Sequence, residues 1–271
     1  MRSPAGPGAA PAPPLLQVSA WQAIPHLLHG FLGRRGGVSV GPFAELNLSD
    51  RVGDAAEAVQ ENWRRVSLAT TGQERFVSMQ QVHGPEAVTV GDPDAVVGET
   101  DAMSTNVRGI LLSVLTADCV PILLVAPRER AVAVVHAGWR GTLAGVTERA
   151  VRHMTSAFGT RPADLQAALG PAIDGCCYEV ERSIGDEMQS RWGVMHDAVR
   201  RTSAAKATVD LRRANRHILI KAGLLQTHLR FVGPCTGCRP GEYFSHRASG
   251  GQTGRQLSFI GWEGGAQPAR A

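Results

Sequence analysis

Three apolar runs dominate the hydrophobic pattern of the chain, at residues 109–115, 120–125 and 131–135. Each has the length of a strand, and none shows the alternation of a half-exposed one, so they predict strands buried on both faces. The polar stretch Pro127-Arg128-Glu129-Arg130 separates the second run from the third. Residues 120–135 therefore read as an antiparallel hairpin. Further upstream, residues 21–32 form an extended apolar segment that ends in Gly33-Arg34-Arg35-Gly36-Gly37, where paired glycines permit a tight turn. Residues 76–82 read as another short strand, delivering His83 and Gly84 into a turn before Pro85.

Helical spacing follows in four places. Asp54 and Glu57 fit a capping box, and Ala58, Glu61, Asn62, Arg65 and Val66 continue it, which predicts a helix over 55–69. Thr142 can cap a second helix, on which Leu143, Val146, Ala150, Val151, Met154 and Phe158 keep the 3.6-residue period until Gly159. Two more are predicted over 181–192 and, from Asp210, over 211–226, the latter with Leu211, Ala214, Ile218, Ala222 and Leu225 on one face. No internal repeat is present in the sequence.

At 271 residues and 43% hydrophobic, the chain can bury one large core, and a single domain over 19–262 is the simplest expectation. The Pro- and Ala-rich segment 1–18 reads as a disordered leader, because it has neither the charged start nor the continuous apolar stretch of a signal peptide. Residues 263–271 read as a disordered tail. No stretch approaches the roughly eighteen uncharged apolar residues of a membrane span. The formal charge of +4 comes mostly from scattered arginines, with Lys206 and Lys221 the two lysines. That pattern suggests anionic small molecules as partners; a basic groove for nucleic acid remains the alternative, with no helix-turn-helix or RNA-binding signature behind it. Five cysteines, an odd number, in a chain too long to need disulfides fit a reducing, cytoplasmic setting.

Folding the hairpin brings Cys119 and His136 together, since they sit at its open ends at nearly equal distances from the turn. Opposed residues in such a pair have Cβ atoms about 4.5–5.5 Å apart, close enough for both side chains to reach one metal ion. His83 can supply a third ligand if its strand neighbours the hairpin. Two imidazoles and a thiolate suit zinc, with the fourth position left to water or substrate. Each residue also has a plainer reading: a strand-end histidine as a satisfied polar group, a cysteine in an apolar run as core. His136 runs into Ala137-Gly138-Trp139-Arg140-Gly141, a glycine-rich strand-to-helix turn whose amides suit an anion. Asp118 places a carboxylate against the Cys119 thiolate. Cys235 and Cys238 form a CxxC with no second CxxC nearby and with Pro234 and Pro240 beside it, so it reads as structural or as neighbouring the site. Cys176 and Cys177 read as buried, and His246 as a weaker ligand candidate.

The sequence resembles a known family at a series of blocks. They include Arg35-Gly36-Gly37-Val38-Ser39, Asn47-Leu48, Val52-Gly53-Asp54, Gln81-Val82-His83-Gly84, Thr116-Ala117-Asp118-Cys119-Val120-Pro121 and His136-Ala137-Gly138-Trp139-Arg140-Gly141. The likeness continues through Gly170-Pro171-Ala172-Ile173, Cys177-Tyr178-Glu179-Val180, Cys235-Thr236, Phe244-Ser245-His246-Arg247 and Gly254-Arg255. In this order they are similar to the purine nucleoside phosphorylase family formerly described as laccase-domain or multicopper polyphenol oxidase proteins.

That resemblance implies one α/β domain in a four-layer α/β/β/α arrangement, with two mixed internal β-sheets faced by helices. It implies zinc, with copper as the alternative, on His83, Cys119 and His136, which would also be the catalytic residues. The implied activities are phosphorolysis of adenosine, inosine, guanosine and methylthioadenosine, and deamination of adenosine. Substrate-binding candidates are Arg35, Ser39, Asn47, Gln81 and Arg140. The two arginines suit phosphate through paired hydrogen bonds, Asn47 contacts substrate or bonds its own turn, and Gln81 orients His83. The expected partners are nucleosides and phosphate, with no nucleic acid and no membrane, for a monomer or homodimer. The rival readings are a copper-dependent phenol oxidase, an amidase editing peptidoglycan precursors with Cys119 as nucleophile, and a zinc-stabilised scaffold without catalysis.

Overall fold

The computed structural model describes residues 14–70, 75–193 and 196–264. Strand β1 (Leu15–Leu16) leads through a 3-10 turn at Ser19–Ala23 to β2 (Leu27–Leu32), and a second such turn at Gly41–Phe43 precedes α1 (Ala56–Thr70). Then come β3 (Arg75–Ser78), β4 (Ala87–Thr89), β5 (Ala102–Thr105), β6 (Ile110–Thr116), β7 (Val120–Ala126) and β8 (Ala131–Ala137). Helices α2 (Trp139–Ala144) and α3 (Val146–Phe158) follow, then β9 (Gln166–Leu169), β10 (Glu179–Glu181) and α4 (Arg182–Trp192). The chain continues through β11 (Val199–Arg201), β12 (Lys206–Val209), α5 (Leu211–Lys221), β13 (Leu229–Phe231) and β14 (Gln256–Trp262).

Two mixed sheets form the interior. One has the order β1-β2-β14-β6-β3 and the other β13-β9-β7-β8-β5-β4. Their inner faces meet through Phe31, Leu112, Leu123 and Val134, all at or near zero exposure. The opposite face of β7 and β8, with Leu124 and Val135, packs against Val151 and Met154 of α3 and Ile218 of α5. On the far side, Val66 of α1 covers Leu111 and Phe259 of the first sheet. This is the four-layer α/β/β/α order, and it explains the unbroken apolar runs, because alternate residues of β7 and β8 serve two different cores.

The hairpin registers Pro121 opposite His136 and Ala126 opposite Ala131. Several expectations shift in detail. The helix expected from Thr142 starts earlier, from Gly138, and is cut in two at Gly145, whose φ of 93° ends α2. Thr142 is buried inside α2 and its hydroxyl accepts from Asn215 Nδ2 at 3.0 Å. Asp54 is no reciprocal cap either: it accepts from Ala55 N, Ser39 Oγ and Asn47 Nδ2. The α5 helix begins as expected, with Asp210 accepting from Arg213 N, but stops at Lys221, before Gly223 at φ 103°. Trp21 sits in the 3-10 turn, not in an extended segment, and donates from Nε1 to Gln166 Oε1 at 2.7 Å. The expected leader overlaps structure, since Leu15 and Leu16 pair with Leu32 and Phe31 and Val18 is buried. Its first part, 1–13, and the tail beyond 264 lie outside the described residues. A small third sheet, β10-β12-β11, packs on α4.

Candidate metal centre

His83 follows β3 in the left-handed region, at φ 62°, a conformation that costs a non-glycine residue energy and needs external support. Asp101 provides it. Val82 N and Gly84 N, on either side of His83, donate to Asp101 Oδ2 at 3.1 and 2.7 Å. Asp101 is fully buried just before β5, which pairs with β8. It therefore also reaches His136, whose Nδ1 donates to Asp101 Oδ1 at 2.7 Å and whose backbone N donates to Asp101 O at 2.8 Å. With Nδ1 so engaged, Nε2 is the His136 atom left for a ligand.

Cys119 enters from the start of β7, with its Sγ 3.8 Å from His83 Nε2. The His83 and His136 rings stand edge to face, 4.7 Å between centroids. One nitrogen from each and the Cys119 sulfur all lie within 4.8 Å of one another. Tetrahedral zinc with ordinary bond lengths places nitrogen and sulfur about 3.6 Å apart, so the donor set and its spacing fit such an ion. Gly138 makes room for this convergence. A Cβ there would stand 2.8 Å from His83 Cδ2 and 2.9 Å from Cys119 Sγ.

Burial resists ionisation of the Cys119 thiol, but the charge and hydrogen bonds of His136 and His83 overcome it and hold its pKa at about 6. Burial likewise works against a charge on His136, yet Cys119 and Asp101 raise its pKa to about 9. Asp118 contributes differently from expectation. Its carboxylate is turned away to accept from Thr236 Oγ1 at 2.6 Å and Arg247 N at 2.7 Å, and at φ 88° it shapes the turn into β7.

The three donors sit in the wall of a cleft of about 1430 Å³. Arg140, Tyr178, Arg247 and Arg255 line it as well. Arg140 lies 4.4 Å over the Trp139 ring and Arg247 4.8 Å over that of Tyr178. Arg255 is half-buried and donates from Nη1 to the carbonyls of Thr253 and Gly254. Burial pushes the Tyr178 phenol up to about 12, keeping it protonated.

Of the substrate-binding candidates, Gln81 and Arg140 belong to the cleft wall. The Gln81 amide is taken up by Leu115, Nε2 donating to its O at 2.8 Å and Oε1 accepting from its N at 2.9 Å, which ties this segment to β6. Ser39 and Asn47 are buried in a polar network with Asp54 and Asn62 and do not themselves line the cleft, although Asn47 accepts from the backbone N of the lining residue Arg255. Arg35 is exposed, with Nε donating to Gly241 O at 3.0 Å. Sequence reasoning missed Asp101, which stands in no apolar run and in none of the blocks quoted. Arg247 and Arg255 were signalled only by those blocks. The cysteines also need correction: Cys176 is exposed and Cys177 half-buried, and both meet Cys235 and Cys238 in one cluster.

The model of the family described as multi-copper polyphenol oxidoreductase laccase matches residues 28–263. The chain belongs to this family. Laccase-family relatives bear a different functional name. "Purine nucleoside phosphorylase YlmD" from Geobacillus stearothermophilus is 38% identical over 247 residues, 86% of this chain and 89% of that one. A purine nucleoside phosphorylase from Deinococcus radiodurans is 36% identical, over 97% of this chain and 99% of its own. The crystal structure of the Geobacillus protein superposes with a TM-score of 0.82 at 35% identity, covering 89% of this chain and 93% of that one. A Bacillus licheniformis hypothetical protein, YfiH, gives 0.86 at 30% identity, covering 93% and 97%. The laccase-family fold is thus common to all three. Among the described residues, no helix is long and apolar enough to cross a membrane.

Proposed function

We propose that this protein is a zinc-dependent purine nucleoside phosphorylase that also deaminates adenosine, with the metal on His83, Cys119 and His136. The observation that carries this reading is the convergence of two imidazoles and one thiolate, within 4.8 Å, on the wall of a cleft lined by arginines. The names of the relatives supply the substrate class. Bound zinc would act there as a Lewis acid on a substrate atom or a water.

The chain's own residues account for the rest of phosphorolysis. A phosphate oxygen bonds to the ribose C1′ as the glycosidic bond to the purine breaks, and the base leaves with a proton. Arg140 and Arg255 hold the phosphate, since guanidinium matches it through paired hydrogen bonds and keeps its charge. Protonated Tyr178 can donate a hydrogen bond to the substrate. Asp101 fixes the His136 ring and the His83 loop together, so the donors are aligned before any substrate arrives. In deamination, water replaces the amino group at purine C6 and ammonia leaves. Work in the cytoplasm, as a monomer or homodimer, suits the five free thiols.

One observation favours a second reading: Cys119, His136 and Asp101 also form the relay of a cysteine nucleophile, with the thiol pKa at about 6. In that case His83 would serve only to hold the Cys119 thiolate. Copper on the same three donors has the family description behind it, although multicopper oxidation needs further histidine-rich centres. The deciding experiment is incubation of metal-analysed protein with adenosine, inosine and guanosine, with and without phosphate, followed by chromatography. Phosphate-dependent free base and zinc that survives dialysis are expected. Absence of both base and ammonia, or copper in place of zinc, overturns the proposal.

A further inference from the structure

Cys176 and Cys177 stand in the loop between β9 and β10, and Cys235 and Cys238 in the loop after β13. The four sulfurs lie within 4.8 Å of one another. Cys238 Sγ is 3.4 Å from both Cys176 Sγ and Cys177 Sγ, which are 3.8 Å apart. A disulfide needs about 2.05 Å, so these are four separate thiols. Four sulfurs on a tetrahedral zinc, each at about 2.3 Å, would be spaced about 3.8 Å apart. A multi-iron cluster, which interposes its own sulfides, would hold the cysteines farther apart than this.

From this packing we infer that Cys176, Cys177, Cys235 and Cys238 bind a second, four-coordinate zinc ion. Each thiol gives up its proton on binding, which leaves four thiolates around one divalent cation. The surroundings fit ligation. Asp174 N donates to Cys235 Sγ at 3.3 Å, the amide donation a ligated thiolate accepts. The carboxylate of Asp174, whose backbone N meets Cys235, is occupied by Arg212 at 2.7 and 2.5 Å and does not compete. Gly237 lets the two loops close, since a Cβ there would stand 2.9 Å from Cys177 Cβ. With four protein ligands the site is closed, which makes it structural.

Its place in the fold gives it a task. Between Cys235 and Cys238, Thr236 donates from Oγ1 to Asp118, the residue before Cys119. Ile173 N also donates to Asp118 O, at 2.9 Å, and Tyr178, beside Cys177, lines the cleft. A metal clamp on these loops therefore fixes the turn that presents Cys119.

The test begins with the His83→Ala/Cys119→Ser double variant of the full chain, which removes the cleft site alone. After dialysis it should retain about one zinc per chain, against about two in the unaltered protein, and adding Cys176→Ser and Cys238→Ser should abolish this. Cobalt loaded into the double variant should show the thiolate charge-transfer bands of four-sulfur ligation. If a variant fails to fold, the unaltered protein still decides. Cys176, Cys177, Cys235 and Cys238, located by peptide mapping and counted apart from Cys119, should resist a thiol reagent until a chelator strips the metal. Retention of no zinc by the folded double variant, free reaction of these four thiols before chelation, or a mass lowered by disulfide formation would overturn the inference.

Discussion

The carboxylate of Asp101 takes a hydrogen bond from His136 Nδ1 at 2.7 Å with one oxygen while the other holds Gly84 N at 2.7 Å. One buried side chain thereby sets two of the three donors. Asp101→Asn puts an amide donor where at least one of these donors must bind. Metal affinity should fall about 10–100-fold, as for other residues that orient a ligating histidine. Zinc titration with a competing chelator measures it, and unchanged affinity would remove Asp101 from this role.

Gly138→Ala isolates the steric requirement of the centre. At φ −74° and ψ 174° the position suits any residue, so backbone strain is not introduced, yet the methyl group would overlap His83 and Cys119. The expected variant folds with a melting temperature close to that of the parent stripped of its cleft metal, and loses the zinc of the cleft together with turnover. Retention of full zinc content would show that the donors stand farther from Gly138 than described.

Asn47 is a test of structure against substrate contact. Its Nδ2 donates to Ser49 O and Asp54 Oδ2 at 2.9 Å, and its Oδ1 accepts from Ser49 N and Arg255 N. Asn47→Ala leaves buried groups unpaired and should cost about 2–3 kcal/mol in urea denaturation. A weakened nucleoside affinity at unchanged stability would instead place Asn47 on the substrate.

His29 makes stability depend on pH. Burial at 2% exposure depresses its pKa from 6.5 to about 4. The folded state thus keeps it neutral while the unfolded chain already binds a proton. Its contribution is complete above pH 6.5, is lost as pH falls from there toward 4, and is then constant, a total of about 3 kcal/mol. His29→Gln should flatten this part of the curve in melts between pH 7 and 4. Parallel curves for the two proteins would exclude His29 as the cause.

The hairpin and two of its donors were legible because β7 and β8 are short, apolar and joined by an unmistakable polar turn, which fixes Cys119 and His136 by counting. Periodicity placed His83 only near a strand end, and the family blocks alone marked it as a ligand; that it meets the other two depends on Asp101, whose partners are 17 and 35 residues away in sequence. Periodicity carries no information about such contacts. The break at Gly145 was hidden for a related reason, since α2 and α3 present apolar residues at spacings that one helix would also satisfy. The four-cysteine cluster escaped because its second pair is adjacent, not spaced as a CxxC, and comes from a loop 58 residues before Cys235. Ser39 and Asn47 have residue types suited to a ligand, and only the observed packing assigns them to Asp54 and Asn62.

Strand β14 lies between β2 and β6 and pairs with both. The first sheet cannot close until residue 262 has left the ribosome, and until then β2 and β6 each keep an unsatisfied inner edge. A nascent or truncated chain lacking β14 exposes the apolar faces of Phe31 and Leu112, and its hazard is aggregation before any loss of chemistry.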